Sequence, residues 1–287
     1  MYNIIYNPNA FRANNTTEKI RKFTTALEKQ SRVYNLFTTK KAGHATDIAT
    51  QLYQHNERVF IVSGGDGTIF ETLNGLSSDC TLGIIPSGTG NDIAVSLGIT
   101  PQNAIKTIIA DQIRAIDYGI INDDIKFLSL VSFGIVTDII NMLDQFKTHN
   151  RLNYFKALLK KALFYKTKNY KVIIDGQVST HYADYLSVHN CKYAGGGMTL
   201  CAPALVDDGC LDLVVISYQG LVRRIFNLIA IATNQLHKQP NVTITKVKNL
   251  QIKSLEDSTC CIDGEILNIN SLHIEVVTGD LQTYAVK

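Results

Sequence analysis

A glycine-rich turn between a strand and a helix constrains this chain more than any other feature. The apolar run Arg58–Val62 predicts a buried strand, and Ile69–Gly75 predicts the start of a helix. Between them stands Ser63–Thr68, with the sequence SGGDGT. Its glycines let backbone N–H groups approach a ligand, and a helix N-terminus favours an anion. The turn therefore predicts a phosphate site. Its carboxylate, Asp66, would repel a phosphate unless a cation or a proton donor stands between them, and this indicates Mg-nucleotide chemistry.

A second turn of this kind follows the next predicted strand. Thr81–Ile85 predicts that strand, and Pro86–Asp92, with the sequence PSGTGND, precedes a helix predicted over Asp92–Leu97. Because ligands of open parallel sheets bind at the carboxyl ends of the strands, the two turns predict one nucleotide site. The chain has neither a P-loop motif nor the protein-kinase signature set. Phosphate binding must therefore rest on loop amides and small hydroxyls.

Other segments complete a resemblance to a known family. GGDGT alone would also fit NAD kinases and phosphofructokinases. Taken in order along nearly the whole chain, however, the segments resemble the diacylglycerol-kinase catalytic domain of bacterial lipid kinases and their sphingosine-kinase relatives. Besides the two glycine turns, they are Asn7-Pro8, the segment TTKKAGHA around Thr39, Asn190 with Gly195–Gly197, PALVDDGCLD at Pro203–Asp212, and Asp263-Gly264-Glu265.

The alternation of strands and helices in the first part predicts an α/β three-layer domain with a parallel sheet, residues 1–116. From about Asp117, strands spaced by turns predict a mainly antiparallel β-sandwich domain, residues 117–277, with the active site in the inter-domain cleft. Strands are predicted over Ile125–Phe133 and Leu272–Val277, and helices over Leu152–Tyr165 and Leu221–Gln235. The resemblance implies that residues 278–287 return to the first domain.

The resemblance implies ATP and Mg²⁺ as cofactors and assigns residues to them. The residues assigned to nucleotide binding are Asn7, Thr39, Gly64, Gly65, Asp66, Gly67, Thr68, Glu71, Gly88, Thr89, Asn91 and Asp92. The resemblance places the catalytic base in the acidic motif Asp263-Gly264-Glu265, called here the late acidic motif, as either Asp263 or Glu265. Asp66 is a third candidate, either as a metal ligand or as the base. A structural Mg²⁺ would be held by the Asp208 carboxylate and the carbonyls of Leu205 and Cys210.

Composition limits the partners. The net charge of +3 over 287 residues predicts no nucleic-acid partner, and no apolar run reaches membrane-spanning length. Six cysteines without a C-x-x-C pair are typical of reduced thiols in a cytoplasmic protein. The basic amphipathic segment 151–164 either lies on anionic lipid or packs on its own domain. We expect a protein peripheral at the inner face of the membrane, with a homodimer as the candidate assembly.

These observations predict an ATP- and Mg-dependent lipid kinase whose acceptor is a lipid hydroxyl at a membrane surface, with diacylglycerol to phosphatidic acid as the best guess. One alternative is a nucleotide- or lipid-binding regulator without turnover. Phe11 motivates it, because it stands where the family has Ser-Gly in the first loop and cannot mimic a glycine beside a phosphate. Another alternative is an NAD kinase-like kinase of a soluble substrate.

Overall fold

The computed structural model describes residues 1–8, 13–144, 160–255, 259–269 and 271–285, with the backbone alone for residues 13–15 and 140–144. Phe11 and most of the amphipathic segment 151–164 lie outside the described residues; residues 160–164 are helical. The first part of the chain alternates strands and helices: β1 Tyr2–Tyr6, α1 Ala13–Lys29, β2 Tyr34–Thr38, α2 His44–Gln54, β3 Val59–Gly64, α3 Asp66–Asn74, β4 Cys80–Pro86, α4 Asp92–Ser96 and α5 Ala104–Ile109.

The first sheet is parallel and lies between two layers of helices. Its strand order is β2-β1-β3-β4. Successive side chains of β3 point to opposite faces. Phe60 and Val62 lie in a core with residues of α2 and α3, whereas Ile61 lies in a second core with Phe23 of α1. Burial on both faces explains why this strand is a continuous apolar run in the sequence.

The second part of the chain is mainly antiparallel. Its elements are β5 Ile113–Ile121, β6 Ile125–Phe127, β7 Leu130–Gly134, α6 Ile135–Asp144, β8 Lys168–Ile174, β9 Gln177–His189, β10 Tyr193–Ala194, β11 Met198–Thr199, β12 Leu211–Ser217, α7 Leu221–Ala232, a 3-10 turn Leu236–Lys238, β13 Val242–Val247, β14 Asn249–Ser254, β15 Thr259–Ile262, β16 Glu265–Asn268 and β17 Ser271–Tyr284. Large buried side chains such as Phe133, Tyr170 and Leu186 fill the sandwich core. The fold class predicted from the sequence is thus confirmed.

The last strand, β17, connects the two parts. Its first residues pair antiparallel with β14, and Leu281–Thr283 pair in parallel with Cys80–Leu82 of β4. Along most of its length β17 also pairs with β5. One strand therefore belongs to both sheets, and no linker separates them. The proposed boundary at residue 116 falls inside β5 and stays a prediction.

Three sequence predictions need correction. The strand predicted over Ile125–Phe133 is two strands, because the chain turns at Leu128–Ser129. The helix predicted from Ile69 begins at Asp66, and the strand predicted to end at Val277 runs on to Tyr284. The helix α6 and the strand β13 were not predicted. Among the described residues, no helix is long and apolar enough to cross a bilayer.

Candidate active site

The two glycine turns are in direct backbone contact. A Cβ added to Gly88 would lie 2.5 Å from Gly65 Cα, closer than real Cβ atoms come to a backbone atom. Asn91 has a left-handed backbone with φ 55°, and its side chain accepts a hydrogen bond from Gly88 N and donates one to Gly88 O, each 2.9 Å. Asn91, predicted as a nucleotide ligand, therefore shapes the second turn.

A cleft of about 490 Å³ opens at the carboxyl ends of the parallel strands. Asn7 follows β1, and Thr39, whose N–H donates to Tyr6 O, follows β2. The lining residues are Asn7, Thr39, Lys40, Lys41, Ala42, Gly65, Gly67, Thr68, Glu71, Gly88, Thr89 and Glu265. Most of the predicted nucleotide residues thus share one cleft, whereas Gly64, Asp66, Asn91 and Asp92 are not among its lining residues.

Lys40 and Lys41 are the functional candidates that the sequence analysis missed. Both side chains are exposed at the cleft, beside Thr39. Two adjacent lysines in the segment TTKKAGHA were the available signal, because ammonium groups at a phosphate site favour an anionic ligand. The N-terminus of α3, capped by Gly65, adds partial positive charge to the same cleft.

Glu71 lines the cleft but has a local partner. Its Oε1 accepts a hydrogen bond from Gly43 N at 2.8 Å, and its Oε2 accepts one from Ala45 N at 3.1 Å. These N–H groups lie at the start of α2, so the carboxylate satisfies donors that the helix leaves without partners. Glu71 thus holds α2 against α3, and with it the position of the Lys40–Lys41 segment.

Asp66 and Asp92 connect the two turns to the second part of the chain. Asp92 accepts hydrogen bonds from Gly196 N at 2.9 Å and from Gly197 N at 2.6 Å. Asp66 accepts long hydrogen bonds from Asp92 N and Ile93 N, at 3.3 Å and 3.4 Å. Burial, and then the nearby Asp92 charge, raise the pKa of Asp66. The glycine hairpin between β10 and β11 is therefore fixed on the second glycine turn.

The two carboxylates of the late acidic motif lie in different environments. Asp263 is buried, and its oxygens accept hydrogen bonds from Leu128 N, Ser129 N and Leu130 N at 2.7 to 2.9 Å. Burial raises the pKa of Asp263 to about 7, while the three N–H donors act in the opposite direction. Asp263 therefore fixes the β15–β16 hairpin to the turn between β6 and β7.

Glu265 is exposed at the cleft, in contrast to Asp263. A Cβ added to Gly67 would lie 3.2 Å from Glu265 Oε1, which puts this carboxylate against the first glycine turn. The sequence alone could not separate the two acidic residues. The geometry brings Glu265 to the candidate phosphate site and assigns Asp263 a buried anchoring position.

Asn190 is also buried at the junction. Its amide donates to Asp117 O and Leu128 O, both at 2.9 Å. These bonds hold together the end of β9, the strand β5 and the turn that Asp263 binds. Asn190, part of the family resemblance, thus positions backbone at this junction.

The loop predicted to hold a structural Mg²⁺ lies in a second cleft, away from the glycine turns. Four carboxylates line it, those of Asp117, Asp207, Asp208 and Glu275. The Asp208 carboxylate accepts a hydrogen bond from Cys210 N at 3.1 Å and another from Lys246 Nζ at 2.6 Å. Among the residues that the structure describes, no group of three or more acidic, His or Cys side chains is arranged around a single metal position.

Comparisons with known proteins agree with this geometry. The family profile for the diacylglycerol kinase catalytic domain matches residues 1–121, and that for the YegS C-terminal NAD kinase beta sandwich-like domain matches residues 129–285. A protein of Klebsiella pneumoniae (strain 342) named "Probable lipid kinase YegS-like" is 29% identical over 273 residues, which are 92% of this chain and 90% of that protein. A Staphylococcus saprophyticus protein named "Diacylglycerol kinase" is 28% identical over 276 residues, 88% of this chain and 87% of that protein.

A solved structure shares the whole architecture. The crystal structure of a diacylglycerol kinase from Bacillus anthracis str. Sterne superposes with a TM-score of 0.80 at 25% identity, covering 99% of this chain and 96% of that one. The resemblance stated from the motifs is thereby confirmed. The two family matches span nearly the whole chain, and the second alone spans more than half of it. This chain therefore belongs to the YegS and diacylglycerol kinase family of lipid kinases.

Proposed function

We propose that this lipid kinase transfers the γ-phosphoryl group of MgATP to the hydroxyl of diacylglycerol or a similar glycerolipid, at the inner face of the membrane. The observation that carries the proposal is the position of Glu265 against the first glycine turn, in the cleft that the lysines and small hydroxyls line. The glycerolipid acceptor is supported by the name "Diacylglycerol kinase" of the staphylococcal relative.

The triphosphate is bound by the backbone of the two glycine turns. Gly65 and Gly67 offer backbone N–H groups that no Cβ of their own shields, and Thr68 and Thr89 add hydroxyl donors. The N–H of Gly88 is bound by the Asn91 side chain, so Gly88 contributes the close approach of the second turn. Lys40 and Lys41 balance the remaining negative charge. Mg²⁺ arrives with the nucleotide as part of the substrate and neutralises charge that develops on the phosphates. Asp66, which belongs to the first glycine turn, and Glu265, which lies against that turn, are the candidate carboxylates for contact with this ion.

Glu265 acts as the general base. As the lipid oxygen attacks the γ-phosphorus in line, a phosphorus–oxygen bond forms and the bond to the β-phosphate oxygen breaks. Glu265 takes the hydroxyl proton, and ADP leaves. Asp263 takes no part in the proton transfer, because its oxygens bind three backbone N–H groups. Its function is to position the hairpin that carries Glu265.

The test is transfer of labelled γ-phosphate from MgATP into lipids in mixed micelles. Diacylglycerol, ceramide, sphingosine and phosphatidylglycerol serve as acceptors, with NAD as the soluble alternative. We expect label in diacylglycerol, and Glu265→Gln should lower kcat by about 10²- to 10⁴-fold, the usual contribution of a general base. The exposed Glu18 of α1, paired with Lys22, gives the matched control Glu18→Gln, which should keep full activity.

Each other outcome of this assay selects a different function. Label in NAD alone would refute the lipid acceptor and favour the soluble-substrate kinase. Label in ceramide or sphingosine alone would keep the lipid kinase but replace its acceptor. Nucleotide binding without any transfer, in the wild type and in Glu265→Gln alike, would favour the regulator without turnover.

The loop of Leu205, Asp208 and Cys210 stays a proposed site for a second, structural Mg²⁺. Its support is the concentration of carboxylates in that cleft, together with a buried oxygen of Asp212, Oδ1, that has no hydrogen-bond partner. Carboxylate and carbonyl oxygens are the ligands that Mg²⁺ prefers. The Asp208 carboxylate would bind the ion in competition with Lys246. The ion would rigidify the loop and has no part in phosphoryl transfer.

A further inference from the structure

The helix α7 has an apolar face that no part of the described structure covers. Val222, Phe226 and Ile229 recur at the spacing of one helix face, and they are 70%, 55% and 53% exposed. The opposite face of α7 already lies against the protein, because Asn227 and Ile231 are buried there. The exposed apolar stripe is therefore additional to the side that packs.

A second apolar element lies beside α7. Arg224 is buried and donates to Ala162 O at 2.8 Å and to Tyr165 O at 3.0 Å, so it holds the end of the helical residues 160–164 against α7. Between those two carbonyls stand Leu163 and Phe164, and Phe164 is 80% exposed. We call the exposed apolar residues of these two neighbouring elements together the α7 face, which consists of Leu163, Phe164, Val222, Phe226 and Ile229.

The two segments that carry the α7 face contain basic residues and no acidic ones. Residues 160–174 contain five lysines and no Asp or Glu, and residues 218–239 contain two arginines and one lysine, again with no Asp or Glu. Asp138 pairs with Lys161 and Lys168, and Asp184 pairs with Arg224; both acidic residues come from other elements. Lys160 and Lys166 are exposed. Since the whole chain has a net charge of only +3, positive charge is concentrated here.

Basic and apolar residues on one surface match the chemistry of an anionic lipid bilayer. Apolar side chains insert at the boundary between headgroups and acyl chains, and lysines and arginines contact the negative headgroups. A protein partner of acidic character would match the charge but would not need aromatic and aliphatic side chains exposed to this degree. The combination favours the bilayer.

The α7 face is connected to the glycine turns through one hairpin. Asn234, just after α7, accepts a hydrogen bond from Thr199 N at 2.7 Å. Thr199 belongs to the β10–β11 hairpin, whose Gly196 and Gly197 bind the Asp92 carboxylate. Attachment through α7 would therefore hold the glycine hairpin, and the catalytic cleft behind it, close to the bilayer surface.

We propose that the α7 face docks on the surface of an anionic bilayer and so delivers the cleft to its lipid acceptor. This docking rests on the proposed function, because only a lipid kinase needs delivery to a lipid acceptor. Vesicle binding itself can be measured without catalysis. The experiment is co-sedimentation of the full chain with vesicles of phosphatidylcholine alone or mixed with phosphatidylglycerol, at low and at high salt. We expect binding to the anionic vesicles, weakened by salt because the charges are screened.

The informative variant is Val222→Ser/Phe226→Ser, with Val33→Ser/Leu36→Ser as the matched control. All four side chains are exposed apolar groups. Leu36 lies in β2, the edge strand of the first sheet, and Val33 directly precedes that strand. We expect the α7 variant to lose about tenfold or more in vesicle affinity, since two apolar side chains no longer insert. The control should bind as the wild type does. Thermal unfolding checks that both variants are folded.

A kinase assay on a water-soluble, short-chain diacylglycerol separates this proposal from the proposed function. Both double variants should phosphorylate it at the wild-type rate, because neither changes the cleft. Wild-type vesicle binding by the α7 variant would overturn the docking proposal and leave the kinase intact. A change from dimer to monomer in the α7 variant, with vesicle binding unchanged, would also overturn it and assign the face to contact between two copies.

Discussion

Asp263 and Glu265 are separated by one glycine and have different environments. In an extended strand, side chains two positions apart point the same way, but a turn at the glycine between them changes their directions. Asp263 and Gly264 instead have positive φ angles, 48° and 99°, as the turn of the β15–β16 hairpin. The turn sends Asp263 into the protein and leaves Glu265 at the cleft. Their proposed functions differ for this reason.

The buried Asp263 predicts a pH-dependent stability. Its pKa, raised by burial to about 7, lies above the ordinary Asp value, so the folded state binds the proton more tightly than the unfolded state. This contribution is fully present below about pH 4 and is lost as the pH rises through 7. We expect this contribution to the free energy of unfolding to decrease over this window, by on the order of 4 kcal/mol at most.

The measurement is denaturant unfolding from pH 4 to pH 7 on the wild type and on Asp263→Asn, which does not titrate at this position. The variant should lose less stability than the wild type across the window. Equal slopes for the two proteins would mean that Asp263 stays ionised in the folded state, held so by its three N–H donors.

At the scale of elements, the contact between the two glycine turns is the feature that a single methyl group should disrupt. Gly88→Ala places a Cβ against the Gly65 backbone, so one turn must move away from the other. We expect nucleotide affinity to fall by about tenfold or more and stability by about 1–3 kcal/mol, as for overpacked sites.

The matched control is Gly176→Ala in the β8–β9 hairpin. Gly176 has φ 76° and open space around it, so the substitution strains the backbone without touching the cleft. It should lower stability by about 1 kcal/mol and leave nucleotide binding unchanged. Calorimetric titration with MgATP and thermal unfolding give both quantities. Unchanged nucleotide affinity in Gly88→Ala would contradict the assignment of the turns to phosphate binding.

The loop that carries Asp208 gives a second prediction for an element. If Lys246 competes with Mg²⁺ for the Asp208 carboxylate, then Lys246→Ala should increase the shift in melting temperature that Mg²⁺ produces. Asp208→Asn should abolish that shift. The readout is thermal unfolding without nucleotide, with Ca²⁺ as a second hard cation. A Mg²⁺ response that is the same in wild type, Lys246→Ala and Asp208→Asn would refute the loop site.

At the scale of the whole molecule, β17 makes the two parts one cooperative unit. The first residues of β17 pair with β14 of the second sheet and Leu281–Thr283 pair with the parallel strand β4, while β5 pairs with the opposite edge of β17. Unfolding of either sheet therefore removes hydrogen bonds from the other. We expect a single calorimetric transition for the full chain, with calorimetric and van't Hoff enthalpies that agree.

The fragment of residues 1–121 should not fold on its own. Without β17 the strand β4 becomes an open edge, and Leu281 is missing from the core that α2 and α3 form. The expected result is a fragment without a cooperative melting transition. Two transitions in the full chain, or a fragment that melts cooperatively, would show that the two parts are independent domains.

Much of the fold and the site could be predicted because the signals are local. A strand, a glycine turn and a helix start are read from about fifteen adjacent residues, and two such units in succession identified the parallel sheet and its ligand edge. The division of β6 from β7 could not be predicted in this way. Its cause is a distant carboxylate, Asp263, that binds the backbone of the turn.

By itself, the sequence determined the α/β and β-sandwich architecture, the two glycine turns and the family, because backbone preferences and hydrophobic alternation act between near neighbours. Only the tertiary structure decided which polar residues face the cleft. Glu71, Asn91 and Asp263 have the chemistry of ligands, yet each is engaged by backbone groups that folding brings to it. Hydrogen bonds between residues far apart in the chain made that choice, since buried N–H groups require partners and the nearest carboxylate or amide supplies them.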